Sequence, residues 1–268
     1  MSVILKTKQE MQKIWEAGQI IVQIFEAAPS FIKPGLSTKD IADFAERIIR
    51  QAGGIPTCLG YGEPPFPGAI CVSVNEEVVH GIPHPMHIVE NGDIVTLDIV
   101  VTLDGYCADA ARTYAVGEIS QADRKLMETT EASFFAGLKE VQIGKRLGDL
   151  GHAVQQIAEK AGYGVVEELC GHGIGRDMHE DPNVLNYGRP GRGLRFAEGM
   201  VLCCEPMFTA GSRYIEVLDD DWTIVTADGK NAAHYENTFV ITDDGVFVLT
   251  MTESELKKYK LPRWPQVK

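Results

Sequence analysis

An α+β fold made of two related halves is the architecture that the sequence predicts, with helices packed on one side of a largely antiparallel sheet. Three observations predict it. A capping-box pattern opens a helical run near the start, the same helical punctuation returns 109 positions later, and strand-forming runs follow each helical pair.

Thr7-x-x-Glu10 opens a helix of roughly 20 residues, with Ile14, Ala17, Ile21 and Ile24 at helical spacing. Ser37-x-x-Asp40 opens a second, whose apolar positions Ile41, Phe44, Ala45, Ile48 and Ile49 recur at three and four, and Gly53-Gly54 closes it. Gly35, Asp40, Ile48, Ala52 and Gly53 recur as Gly144, Asp149, Ile157, Ala161 and Gly162, and Ile41 as Leu150, all at an offset of 109. Amphipathicity explains the apolar matches but not glycine and aspartate held at the same offset, so the sequence reads as an internal duplication. No Pro-, Ser- or Gly-rich linker separates the copies. The expected organisation is one domain, residues 1–268, of pseudo-symmetric halves at about 1–119 and 120–268. Pro64-Pro65-Phe66-Pro67-Gly68 reads as a loop, Val165 to Cys170 as a strand, and Leu261 to Lys268 as a tail.

The 268 residues include 38 acidic and 25 basic side chains, a formal net charge of −13. Such a balance argues against a broad phosphate-binding surface, so direct nucleic-acid binding is not expected. No run approaches the roughly 18 apolar residues of a membrane span, and the start turns polar too soon for a signal peptide; a cytoplasmic protein is expected. Cys58, Cys71, Cys107, Cys170, Cys203 and Cys204 form no C-x-x-C pair and read as reduced thiols.

Some of the acidic residues stand where charge is costly. Asp93 to Leu103 is a β-forming run, and Asp104-Gly105 predicts a two-residue hairpin turn. That turn pairs Leu103 with Tyr106 and sets Asp109 opposite Val100, so Asp98 and Asp109 become diagonal neighbours on one face. A cation between them would turn their repulsion into binding. Glu205 ends the apolar run Met200 to Cys204, and Glu236 sits in the run His234 to Ile241. Buried carboxylates in such strands cost several kcal/mol unless paired, protonated or metal-bound. His172 in Gly171-His172-Gly173-Ile174-Gly175 is flanked by glycines that permit close approach, with His179 seven positions on. Four carboxylates and one imidazole suit a pair of divalent ions about 3.5–4 Å apart.

These residues carry a resemblance to a known family. With Cys71-Val72-Ser73-Val74-Asn75-Glu76-Glu77-Val78-Val79-His80-Gly81-Ile82-Pro83, Asn186-Tyr187 and Met200 to Met207, they make the chain resemble the type I methionine aminopeptidases over essentially its whole length. The resemblance implies the duplicated pita-bread fold of the M24 metallopeptidases. It implies that Asp98 binds one metal, His172 and Glu205 the other, and that Asp109 and Glu236 bridge them. The ions would be two of Co, Mn, Fe or Zn. It also implies that Glu205 takes a proton from the attacking water, that His179 polarises the scissile carbonyl, and that His80 holds the peptide or aids the leaving amine. Tyr61, Phe66, Cys71, Met178 and Trp222 match or adjoin the family's pocket for the first residue; rings and soft sulfur suit a thioether side chain. Phe66 lies in a segment, Glu63 to Gly68, longer than usual.

The expected activity is removal of N-terminal methionine from nascent chains with a small second residue, by a monomer in transient contact with ribosomes. Alternatives are an Xaa-Pro peptidase of the same family, disfavoured by the short chain, and a non-catalytic binding module on the same fold. Only 26 positions separate His179 from Glu205, too few for the helical insert of type II enzymes. Departures from the family pattern are Val100, Ala110, Ala111, His234 and Asn237, which tune ligand orientation rather than remove a ligand. Cys107 shares a strand face with Asp109, and Cys203 with Glu205, bringing both thiols within prospective reach of the ions.

Overall fold

A computed structural model of the chain describes residues 3–265; the first two residues and the last three of the expected tail lie outside the described residues. The first half runs α1 (Lys8–Phe31), α2 (Thr38–Gln51), β1 (Ile55–Pro56), β2 (Cys71–Val74), β3 (Glu77–Val79), β4 (Ile94–Leu103) and β5 (Tyr106–Ala115). The second repeats two helices and then strands: α3 (Gln121–Lys139), α4 (Leu147–Ala161), β6 (Gly164–Val165), β7 (Gly171–Gly173), β8 (Glu180–Val184), β9 (Val201–Cys204), β10 (Met207–Thr209), β11 (Ile215–Val217), β12 (Ile224–Thr226), β13 (Ala232–His234), β14 (Asn237–Thr242) and β15 (Gly245–Val248), closed by α5 (Glu253–Tyr259).

Both expected capping boxes form, with Thr7 and Ser37 accepting from the backbone of Glu10 and Asp40. The duplication is visible in the backbone. Gly35 and Gly144 precede equivalent helices with the same φ of +93°, a conformation that L side chains rarely adopt. Asp40 and Asp149 then accept from the N-cap backbone of Ser37 and Arg146, each at 2.8 Å.

The strand pairings are antiparallel. One sheet is ordered β1-β4-β2 with β5 on β4, another β15-β14-β9-β7-β8, and two three-stranded sheets, β13-β10-β6 and β11-β12-β3, lie beside them. The single sheet expected from sequence is thus divided, and the halves meet where β5 crosses the break between β13 and β14. Arg112 bridges Tyr235 there. Thr238 Oγ1 accepts from Asp109 N at 3.0 Å and donates to Asp109 O at 2.8 Å; Thr113 Oγ1 does the same for His234, at 3.0 and 2.9 Å. The two clamps are mates across the pseudo-two-fold. Two large buried apolar clusters form, one centred on α1 and α2 against β2, β4 and β5 and reaching Val201 and Val240 of the second half, the other on α3 and α4 against β9 and β14.

Two local expectations are corrected. Val166 to Cys170 is not a strand: pairing stops at Val165, and Glu167 and Glu168 turn toward Arg213, at 3.2 and 3.7 Å. Solvated ion pairs compete there with a strand ladder. The described part of the tail is also not free, since Trp264 is buried edge-on against Phe247 and donates to Gln12 Oε1 at 2.8 Å.

Candidate metal centre and active site

Asp104 and Gly105 take φ of +49° and +76°, as the two-residue hairpin turn requires. Leu103 pairs with Tyr106 and Val100 with Asp109. Asp98 and Asp109 therefore converge on one face of the hairpin, and both line the same cavity. From the second half come Glu205, directly after β9, and Glu236, in the break between β13 and β14. Neither lies inside a strand, contrary to the sequence reading, because the crossing with β5 interrupts both ladders: Glu236 N donates to Ala111 O at 3.0 Å and Tyr235 N to Pro206 O at 3.2 Å.

His172 completes the set from the middle of β7. Its Nδ1 lies 2.9 Å from the Gly173 carbonyl, which can only accept, so the proton sits on Nδ1 and Nε2 carries the lone pair. Nε2 faces Glu205 Oε1 at 3.5 Å and Asp109 Oδ2 at 3.7 Å.

This cluster is poorly compensated by protein alone. One oxygen each of Asp109, Glu205 and Glu236 is buried without a hydrogen-bond partner. Burial pushes Asp98 up to about 7. Burial, then the neighbouring carboxylates, also raises Asp109, Glu205 and Glu236 well above the usual carboxylate range. Burial lowers His172 to about 4, leaving the imidazole neutral, the form that binds metal. Hard oxygens, one lone-pair nitrogen and orphaned acceptors together are the donor set of divalent ions.

Two cavities meet at these groups. One, of about 110 Å³, is lined by the five residues above, by His80 and His179, and by Tyr61, Phe66, Cys71, Met178 and Trp222, with Cys58 and Val100. The other, an open cleft of about 490 Å³, shares Asp98, His172, Glu205, His80 and His179 with it. All the residues singled out from sequence thus lie on one cavity wall. Tyr61 Oη is 2.9 Å from His179 Nδ1, and the rings of Phe66 and His80 stand edge-on to Trp222 at 5.3 and 5.9 Å. His80 has φ of +58°, a sparsely populated conformation for a side-chain-bearing residue and a form of strain found at functional sites. Burial lowers His80 to about 4 and lowers His179 as well.

Residues 12–243 match metallopeptidase family M24. The chain belongs to that family. Within it, the chain is 48% identical over 248 residues to methionine aminopeptidase 1 of Bacillus subtilis (strain 168), spanning 92% of this chain and 99% of the relative. It is 37% identical to a methionine aminopeptidase of Rickettsia prowazekii of known crystal structure, with a TM-score of 0.90 over 93% of this chain and 100% of that one. A prolidase from Pyrococcus furiosus shares the fold at a TM-score of 0.75 and 23% identity, and this chain covers 66% of it. The duplicated α+β fold expected from sequence is therefore the fold of this M24 metallopeptidase.

Sequence reasoning missed two groups in this M24 site. Cys58 lines the pocket with Cys71 and, together with burial, raises the Cys71 thiol; a lone cysteine in a loop gives no periodic signal. Arg112 is buried, donating to the Glu236 carbonyl, to Asn237 Oδ1 at 2.7 Å and to Glu255 Oε1 at 2.7 Å. It therefore holds the backbone of Glu236, and Asn237, a departure from the family pattern, is one of its acceptors. An arginine amid the apolar residues of β5 was the available signal. Of the two thiols expected near the ions, Cys107 instead contacts Thr102 Oγ1 at 3.2 Å and the Arg176 carbonyl at 3.6 Å.

The glycines around His172 act differently from expectation. They admit neighbouring backbone rather than ligand: a Cβ on Gly171 would lie 2.2 Å from the Cys203 carbonyl oxygen, and one on Gly173 2.2 Å from that of Asp181. Gly171→Ala is expected to cost about 1–3 kcal/mol through this clash, read as a lower thermal midpoint. Gly188→Ala, whose Cβ would meet nothing nearer than 3.4 Å, should stay within about 0.5 kcal/mol; equal losses in both would refute the crowding argument.

Proposed function

We propose that this metallopeptidase removes the N-terminal methionine from polypeptides whose second residue is small. The observation that carries the reading is the pairing of a small pocket of about 110 Å³ with a larger open cleft of about 490 Å³, joined at the carboxylates and His172. The small pocket accommodates one side chain and no more, while the cleft admits the rest of a polypeptide. Its walls, Tyr61, Phe66, Cys58, Cys71, Met178 and Trp222, give rings and soft sulfur to a thioether.

In this reading Asp98, Asp109, His172, Glu205 and Glu236 would together hold two divalent ions. The first half supplies two ligands and the second half three, so the halves, about 1–119 and 120–268, act as one catalytic unit. Bound ions would acidify a water and polarise the scissile carbonyl. Glu205, at the junction of pocket and cleft, takes the water's proton and returns it to the leaving amine. His179, with Tyr61 donating to Nδ1, carries its proton on Nε2 and gives that hydrogen bond to the substrate carbonyl; His80 holds the peptide on the opposite side. Because the pocket is small, a chain extended on the N-terminal side of the cleaved residue does not fit, and cleavage stops at one residue. Among the described residues no helix is long and apolar enough to cross a membrane. The proposal further has the enzyme act in the cytoplasm, as a monomer in transient contact with ribosomes.

Chelated protein should regain release of methionine from Met-Ala-Ser and Met-Gly-Met-Met on addition of Mn(II), Fe(II) or Co(II), and leave N-acetylated Met-Ala-Ser intact. Faster cleavage of Ala-Pro peptides would select the Xaa-Pro reading, and no cleavage with any of these ions the binding-module reading.

A further inference from the structure

Asp109, His172, Cys203 and Glu236 each offer one ligand atom, and these atoms all lie within 4.8 Å of one another. Three of them belong to the ion-binding set already described. Cys203 does not. Its side chain is fully buried, and the β9–β14 register sets it opposite Thr238, whose hydroxyl clamps the Asp109 backbone and lies 3.5 Å from Cys203 Sγ. Strand alternation turns Cys203 to the same face as Glu205, two residues on. Cysteine often serves as a small apolar filler, and both thiols pack in apolar clusters, Cys203 in the first and Cys204 in the second. Cys203 alone also faces ligand atoms of Asp109 and Glu236, residues with buried oxygens that have no hydrogen-bond partner. Sulfur aimed among unsatisfied acceptors and an imidazole is placed as a donor atom, not as a spacer.

We propose that Cys203 is a further metal ligand of this centre, its sulfur joining the His172 nitrogen and the Asp109 and Glu236 oxygens on one ion. The proposal rests on the two-ion reading of the site. On binding, the S–H bond gives way to a sulfur–metal bond and the proton leaves to solvent. A thiolate in an otherwise hard set shifts preference toward thiophilic ions, so Zn(II), Co(II) and Cd(II) gain over Mn(II). Cys107, turned to Thr102 and the Arg176 carbonyl, takes no part.

The test uses the full chain reconstituted with Co(II) or Zn(II). The cobalt protein should show a sulfur-to-cobalt charge-transfer band in the near ultraviolet that survives Cys58→Ser/Cys71→Ser and disappears in Cys203→Ser. The preference for Cd(II) over Mn(II), measured by competition, should fall about 10–100-fold in Cys203→Ser. Should that variant fail to fold, X-ray absorption of the zinc-loaded wild type still decides, with a sulfur neighbour expected at about 2.3 Å. A band unchanged in Cys203→Ser, or only nitrogen and oxygen neighbours around zinc, overturns the proposal, as does failure of the wild type to bind either ion. Methionine release without a sulfur signal removes Cys203 alone and leaves the proposed function standing; a sulfur signal in a protein that cleaves no methionyl peptide removes the function and leaves the ligand.

Discussion

Glu205→Gln is expected to lower kcat for Met-Ala-Ser by about 10²–10⁴-fold, with KM changed only a few-fold. The substitution keeps the shape of the side chain and removes its capacity to take a proton. The backbone should not move, because the Glu205 carbonyl is held by Asn186 Nδ2 at 2.9 Å and Pro206 follows directly. The carboxylate lies 3.5 Å from His172 Nε2 and, like Asp98, borders both cavities, which places it to serve an attacking water and a leaving amine in turn. An interaction needed in the transition state and not in substrate binding appears in kcat rather than in KM. Metal content must be measured alongside, since Glu205 is also assigned as a ligand. If the variant loads both ions and still turns over within tenfold of wild type, the proton-transfer role belongs to another group.

How much of this centre was legible depended on whether the determining forces were local. The hairpin was: Asp104-Gly105 fixes a two-residue turn, the turn fixes the register, and the register alone sets Asp98 beside Asp109. The helical pairs were also legible, because capping boxes and glycines at fixed offsets act within one turn of chain. What stayed hidden was made by crossing elements. The clamps of Thr238 on Asp109 and Thr113 on His234 join residues more than 100 positions apart, as do the bonds of Arg112 to Glu236 and Asn237. No pattern within either strand encodes those contacts. The same crossing explains why Glu205 and Glu236 fall just outside strands that their sequences predict to be continuous. Cys203 was half legible, since alternation gave its face but not its closeness to Glu236.

Metal-free protein should lose stability as pH rises from about 6.5 to 8.5, and added Mn(II) should restore it most at the alkaline end. The sign follows from proton uptake. Burial holds Asp98 at about 7 in the folded chain against 3.8 as a reference, and raises Asp109, Glu205 and Glu236 in the same direction. Between these limits the carboxyls bind more protons folded than unfolded, while His80 and His172, held at about 4 against 6.5, bind fewer; above about pH 6.5 only the carboxyl effect remains, so unfolding free energy falls with rising pH there. The favourable contribution is fully present below about pH 4 and is lost as pH rises through the folded values. Asp98 alone amounts to on the order of 4 kcal/mol across that window. Divalent ions bind the charged, folded form and reverse the trend, adding about 2.7 kcal/mol when free metal is 100 times its dissociation constant. Thermal midpoints at pH 5.5, 7 and 8.5, each with EDTA and with Mn(II), should therefore show a gap that widens with pH. Asp109→Asn supplies the control: removing one crowded charge should raise the EDTA midpoint at pH 8.5 while shrinking the gain from Mn(II). An EDTA midpoint that climbs from pH 7 to 8.5, or a variant that keeps the full gain, would mean that charge repulsion among the buried carboxylates does not limit the metal-free fold.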